Sequence, residues 1–362
     1  MLNRQSIQEL ISSQNKDMGF SLDQEFYTDE DIFQIDYQSF FLNHWIFIDH
    51  ESSLKKIGDY ILFNLNYDSV RITKLKDRVV AKYTSSGKDC CLEIFEGLIF
   101  LNFSYNPDNF DEFITPVKDF IKFHDLTNAK IAYRKTYPTR ANWKLTLENF
   151  YECYHCGPAH PEYCEVHSAE YIQSFGAGSN SGPVSDKFNK ELEEWNKKVS
   201  DLGHLTGGFE EKNLSYYFRG AERTPLSNGN LSETIDGTPV STLMGKFRDF
   251  DGGYTTIGIS PFNSMLMVND FATLFRFVPR SALQTDIELL WLVDKDVILK
   301  DVDIKRMIWM WDKTTIADQN IIENNQKGVL SSHYAPGKLS DMELKVKSFH
   351  NWYLRRLENI VK

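Results

Sequence analysis

Two histidines near the middle of the chain, His155 and His160, stand five residues apart with Gly157 and Pro158 between them. Imidazole nitrogens are common ligands of divalent transition metals. On an unbroken helix a five-residue spacing splays the two rings. The pair can meet one ion only if the backbone bends, and Gly157-Pro158 is a place for the bend. Glu152 lies one helical turn before His155, on the same expected face. Two histidines and one carboxylate, with coordination positions left open, form the triad with which non-haem Fe(II) sites bind O2. The carboxylate must come from elsewhere in the chain. Asp318, within Ile316-Ala-Asp-Gln-Asn-Ile-Ile-Glu, is the candidate.

These side chains need elements to hold them. Asn142 to about Tyr154 reads as a helix, with Asn142 at its start. Residues 295–330 read as a strong helix carrying Asp318, and residues 341–361 as a final one. Residues 1–50 look mostly helical, with Ile32, Phe33, Ile35, Tyr37 and Phe40 at helical spacing. Strands are expected at Tyr60–Leu65, Ser69–Thr73, Val79–Tyr83 and Gly97–Phe103, then at Tyr254–Ile259, Ser264–Asn269, Thr273–Pro279 and Thr285–Val293. Residues 175–235, rich in Gly, Ser and Asn, read as long loops around short helices. The order is α+β, an antiparallel sheet with helices beside it.

Composition bounds the rest. The 362 residues are 41% hydrophobic and 25% charged, which suits a globular chain. A net charge of −11 argues against a nucleic-acid or anionic-membrane surface. No stretch approaches the roughly 18 apolar residues of a membrane span, and the N-terminus has no signal-peptide core. A cytoplasmic location is expected. The five cysteines, Cys90, Cys91, Cys153, Cys156 and Cys164, do not suggest a disulfide framework. Reduced thiols are expected, with packing roles for Cys153 and Cys156.

The segment Asn142-Trp-Lys-Leu-Thr-Leu-Glu-Asn-Phe-Tyr-Glu-Cys-Tyr-His-Cys-Gly-Pro-Ala-His resembles the catalytic-domain signature of the Rieske non-haem iron oxygenase α subunits. The branch it is most similar to acts on quaternary ammonium compounds, as glycine betaine monooxygenases do. The likeness runs over about residues 21–360. It includes Asn43-His-Trp-Ile-Phe-Ile-Asp-His, Arg276-Phe-Val-Pro-Arg and Tyr334-Ala-Pro-Gly-Lys-Leu-Ser, in order. The resemblance implies that His155, His160 and Asp318 hold one Fe(II). It implies that Glu152 is the acid that connects such an iron to a neighbouring subunit's cluster, and that Glu148 and Asn149 support the ligands. It implies a helix-grip (START-like) catalytic domain with an antiparallel sheet over 106–362, a truncated Rieske-like β domain over 51–105, and a helical segment over 1–50 packing on the catalytic domain.

One family feature is missing. The cluster motif, Cys-x-His followed after a gap by Cys-x-x-His, belongs between the strands near Val79–Lys82 and Gly97–Phe100. That interval is only Tyr83-Thr-Ser-Ser-Gly-Lys-Asp-Cys-Cys-Leu-Glu-Ile-Phe-Glu, and no histidine occurs between His50 and His124. A cluster of this kind needs two Cys and two His. No [2Fe-2S] cluster is expected, and Cys90 and Cys91 read as ordinary thiols.

The functional expectation is an oxygenase that takes O2 and a small organic substrate, hydroxylating it or removing an N-methyl group. Electrons come from outside the chain, from a donor protein or a cluster-containing paralogue, within a homo- or hetero-trimer. The alternatives are an iron-bearing subunit active only in a mixed oligomer and a non-catalytic ligand binder. Tyr163, Tyr217 and Phe262, with Tyr216 and Phe218, are candidate rings for a quaternary ammonium, which hydrogen bonds cannot hold. His44 and His50 read as core or surface residues. So do His167 and His204, with contact to substrate as the lesser reading.

Overall fold

The computed structural model describes residues 4–16, 19–167, 186–213 and 216–362. Its centre is a seven-stranded sheet in the order β7-β13-β12-β11-β10-β9-β8. The strands are β7 (Ala129–Thr139), β8 (Gly207–Glu210), β9 (Gly220–Pro225), β10 (Gly253–Ser260), β11 (Asn263–Met267), β12 (Phe271–Ser281) and β13 (Gln284–Asp294). Every neighbouring pair is antiparallel.

Alternation along the strands explains why both faces are covered. On β12, Phe271, Phe275 and Phe277 enter one apolar cluster, while Ala272 and Leu274 enter another. On β13, Leu289, Trp291 and Val293 go to the first cluster and Leu290 and Leu292 to the second. The period of two sends alternate residues to opposite faces. One face takes the helices Trp143–Tyr151, Asp301–Val329 and Leu344–Val361, which contribute to the first cluster. The other takes Trp45, Phe47, Phe100 and Phe113 of the N-terminal third.

That third contains two three-stranded sheets, β1-β6-β5 and β2-β3-β4. Their strands are β1 (Ile46–His50), β2 (Tyr60–Asn64), β3 (Ser69–Lys74), β4 (Val79–Tyr83), β5 (Cys91–Phe95) and β6 (Leu98–Asn102). β1 emerges from the expected helical segment as a fully buried strand paired with β6. A second difference lies beyond the site. Asp186–Asp201 forms one 16-residue helix, and β8 and β9 complete the sheet, where loops around short helices are expected. Residues 175–185 of that stretch lie outside the described residues.

Three hydrogen bonds place the Trp143–Tyr151 helix. Asn142 caps it by accepting from the Lys144 amide at 3.0 Å, and its Nδ2 donates to the Ala282 carbonyl at 2.9 Å, at the β12–β13 turn. Its own amide donates to Gln326 Oε1 at 2.8 Å, on the Asp301–Val329 helix. A buried polar knot pins the other side. Asp36 accepts from Lys144 Nζ, from Trp143 Nε1 at 3.1 Å and from Tyr353 OH at 2.9 Å. Burial raises the Asp36 carboxyl and lowers the Lys144 ammonium, because each charge is costly without the other.

Buried imidazoles give the fold an acid limit. Burial lowers His44 to about 4 and His124 to about 3. The unfolded chain binds a proton at each near pH 6.5, and the folded chain binds it only well below that. This stability is therefore present above pH 6.5 and is lost as pH falls toward 4. We expect the urea midpoint to drop by a few kcal/mol equivalent between pH 7 and pH 4.5. His44→Phe should flatten that dependence, and an unchanged slope would refute the assignment.

Candidate metal centre

The Trp143–Tyr151 helix ends before the expected bend. Glu152 is already extended, at φ −128° and ψ 166°. His155 precedes a four-residue helix, Cys156–Ala159, and His160 precedes another, Pro161–Val166. Gly157-Pro158 therefore lies inside a short helical turn. The two breaks are at Glu152–Tyr154 and at His160. Glu152 consequently does not share a helix face with His155.

The histidines converge on the long helix. His155 Nε2 and His160 Nε2 lie 3.1 Å apart, and they lie 3.1 and 2.8 Å from Asp318 Oδ1. Among the described residues, these are the His, Cys, Asp or Glu side chains that offer three atoms within 4.8 Å of one another. Neighbouring ligands at right angles, each roughly 2.1 Å from a metal, stand about 3 Å apart. The three observed separations match that spacing, and the N,N,O donor set suits Fe(II) with open positions.

The second ring atoms are organised too. Glu152 Oε1 accepts from His155 Nδ1 at 2.5 Å, so the lone pair of the neutral ring lies on Nε2, toward the other ligands. Glu152 Oε2 also accepts from the Tyr154 amide. Burial works against charge on His155, but the carboxylates of Asp318 and Glu152 outweigh it and raise the imidazole to about 9. Burial would raise Asp318, yet the two imidazoles hold it below its usual range. The cluster favours positive charge at the point where the three side chains meet: a proton in the free protein, a divalent cation in its place.

A cavity of about 50 Å³ surrounds the triad. Its wall includes Asn149, Cys153, Cys156, Tyr163, Tyr254 and Trp311. Asn149 Nδ2 lies 3.4 Å from His155 Nε2. Phe150 and Leu266 are shared with the wall of a larger cavity of about 120 Å³. The larger cavity is lined by Tyr151, Phe209 and Phe218, and by the charged Glu210, Glu222 and Lys345.

The structure sorts the expected residues. Tyr163 is on the wall of the metal cavity, stacked on His167 at 4.2 Å. His167 Nε2 bonds Glu233 Oε1 at 3.0 Å. Phe218 lines the larger cavity. Phe262 is instead fully buried among Phe41, His44 and Trp143. Tyr217 packs on Phe113 and under the Arg219 guanidinium, and Tyr216 bonds Asp108. These three rings line neither cavity. Glu148 accepts from Tyr27 OH and His350 Nε2, both at 2.9 Å, rather than from a metal ligand. His44 and His50 are core residues, and His204 is paired with Asp251 at 2.6 Å. Trp311 and Tyr254 were not legible as cavity residues, because their spacing reads as ordinary core.

One expectation is corrected. Cys153 and Cys156, expected as reduced packing thiols, form a disulfide across His155, with Cα atoms 4.9 Å apart. The spacing of three residues permits it because the helix has already ended at Tyr151.

An antiparallel sheet gripping long helices, with a two-histidine, one-aspartate group between them, is the arrangement of a candidate mononuclear non-haem metal site. The chain belongs to the family of ring hydroxylating α subunits, whose catalytic-domain model matches residues 126–359. It is 26% identical to the glycine betaine monooxygenase oxygenase subunit of Pseudomonas aeruginosa (strain PAO1), over 95% of this chain and 91% of that one. It is 24% identical to the carnitine monooxygenase oxygenase subunit of Escherichia coli K12, over 42% and 55% respectively. Among solved structures, a quaternary ammonium Rieske monooxygenase studied for carnitine oxidation superposes with a TM-score of 0.67 at 16% identity, covering 94% of this chain and 95% of that one. Naphthalene 1,2-dioxygenase from Rhodococcus superposes at 0.58 and 13% identity, covering 98% of each chain. These superpositions establish the shared α+β fold. Among the described residues no helix is long and apolar enough to cross a membrane.

Proposed function

We propose that this chain is an iron-dependent oxygenase subunit that hydroxylates or N-demethylates a small quaternary ammonium substrate, with electrons supplied from outside the chain. The observation that carries it is the convergence of His155, His160 and Asp318 within about 3 Å of one another. Fe(II) bound there supplies O2 binding and activation. The residues of the chain do the rest. Glu152 holds the His155 proton on Nδ1, and Asp318 balances the charge of the cation. The aromatic wall of the adjoining cavity offers ring faces to a methylated ammonium, and Glu210 and Glu222 share that wall with the Lys345 ammonium.

Absence of a [2Fe-2S] cluster is part of the proposal. β4 and β5 are joined by a short turn through Gly87, with no histidine in it. Cys90 and Cys91 are adjacent and have no histidine beside them, so they do not make the two-Cys, two-His set such a cluster needs. The alignment to the P. aeruginosa relative runs over 406 positions, more than the 362 residues of this chain. That relative therefore carries segments this chain lacks.

Calorimetry on the iron-loaded chain tests the substrate class. We expect glycine betaine or carnitine to bind and neutral naphthalene not to. Binding of the neutral aromatic, with none by either cation, would overturn the assignment. Acid-labile sulfide in the purified protein would overturn the cluster-free reading.

A further inference from the structure

Oxygenation of a C–H bond by O2 needs two electrons besides those of the bond itself, and a ferrous ion can give one. Over a full turnover the iron returns to its starting state, so if the chain has no cluster both electrons must come from another group. The Cys153–Cys156 disulfide brackets the metal ligand His155 in sequence, and both sulfurs' residues form the wall of the metal cavity together with His155, His160 and Asp318.

A structural role explains this disulfide poorly. The stabilisation by a cross-link grows with the loop it closes, and this loop is about as short as a loop can be. The same turn is already closed by the Cys156 amide donating to the Cys153 carbonyl at 3.2 Å. The Cys-x-x-Cys spacing is that of thiol redox pairs, in which each thiol is the other's oxidation partner. Tyr154, between the two, is 66% exposed, so the loop is at the surface although the cysteines keep only 3% and 5% of their own exposure.

We propose that Cys153 and Cys156 are a reversible dithiol–disulfide couple that supplies the two electrons and two protons of the oxygenation. The inference rests on the oxygenase reading above. The balance is substrate C–H, O2 and two thiols giving substrate C–OH, one water and one disulfide. O2 takes two electrons from the C–H bond and two from the sulfurs, and the thiol protons leave in the water. An external dithiol, small molecule or protein, then resets the pair. Its thiolate attacks one sulfur to form a mixed disulfide, and its second thiol releases both cysteines. Cys164, whose Sγ lies 3.6 Å from the Cys156 carbonyl, is a thiol of the same neighbourhood outside the couple.

The test counts sulfurs. The full chain is reduced anaerobically with dithiothreitol, desalted, loaded with Fe(II) and analysed for iron. It is then exposed to O2 with glycine betaine, and free thiols are mapped by differential alkylation and mass spectrometry. We expect the Cys153–Cys156 disulfide to form with the iron-loaded chain, one per chain at most, much faster than in the metal-free chain. We also expect Cys164 to stay free. Cys153→Ser and Cys156→Ser should bind iron at the wild-type ratio and lose the O2-dependent step. Wild-type chains that bind iron and consume O2 while both thiols stay reduced would sink the couple and leave the oxygenase reading standing. A disulfide that resists excess dithiothreitol would also sink the couple, as a structural bond. A chain that binds no iron overturns both.

Discussion

Replacing His160 by alanine is expected to abolish stoichiometric iron in the purified chain, which should otherwise hold about one ion, as one triad implies. The same loss is expected for His155→Ala and Asp318→Ala. Each variant removes one of three donors that now stand 2.8 to 3.1 Å apart. Removing a residue that only orients a ligand costs roughly 10–100-fold in metal affinity. Removing a ligand should exceed that, and Glu152→Gln should fall within it, because the amide still meets His155 Nδ1 with a weaker acceptor. Chelator competition followed by elemental analysis separates the two classes. Retention of full iron by both histidine variants would mean the triad is not the metal site.

Lys144→Met destabilises the fold by about 3–5 kcal/mol, the cost of leaving a buried carboxylate without its cation. Lys144 is fully buried and Asp36 nearly so. The other donors to Asp36, Trp143 Nε1 and Tyr353 OH, are neutral. The knot joins three elements: the Glu30–Asp36 helix, the Trp143–Tyr151 helix and the C-terminal helix. Its loss should therefore loosen the helix that leads into the metal ligands. Urea denaturation reads the effect, and the double variant Asp36→Asn with Lys144→Met should recover most of it. A single-variant loss below about 1 kcal/mol would show that the pair is not coupled as described.

Much of this was legible in the sequence, and the limit falls where contacts stop being local. Asn142 announces a helix start, because its side chain can cap the turn that follows it, and it does so by bonding Lys144. The strands β10 to β13 were legible from β-rich runs between turn residues, and their partners in the sheet follow from short connections. His155 and His160 were legible because two imidazoles so close together have few other uses in such flanks. Asp318 could be named as the candidate carboxylate but, taken alone, looks like any acid on a helix; the family likeness is what set it apart. Its meeting with His160, 158 residues earlier in the chain, depends on the Asp301–Val329 helix lying across the sheet.

Other features were decided by tertiary structure alone. The chain breaks at Glu152 and not first at Gly157-Pro158, because Glu152 must swing out to reach His155 Nδ1. Beyond that break Cys153 pairs with Cys156, which their spacing allowed but did not decide. Phe262 and Phe218 are the same residue type in similarly aromatic surroundings. One became core and the other lines a cavity, because ring identity is local while the space beside a ring is made by distant elements. Residue types and near spacing thus determined which atoms could bind a metal. Only the packed sheet and its crossing helix decided that they meet, what lies beside them, and which sulfurs face the same space.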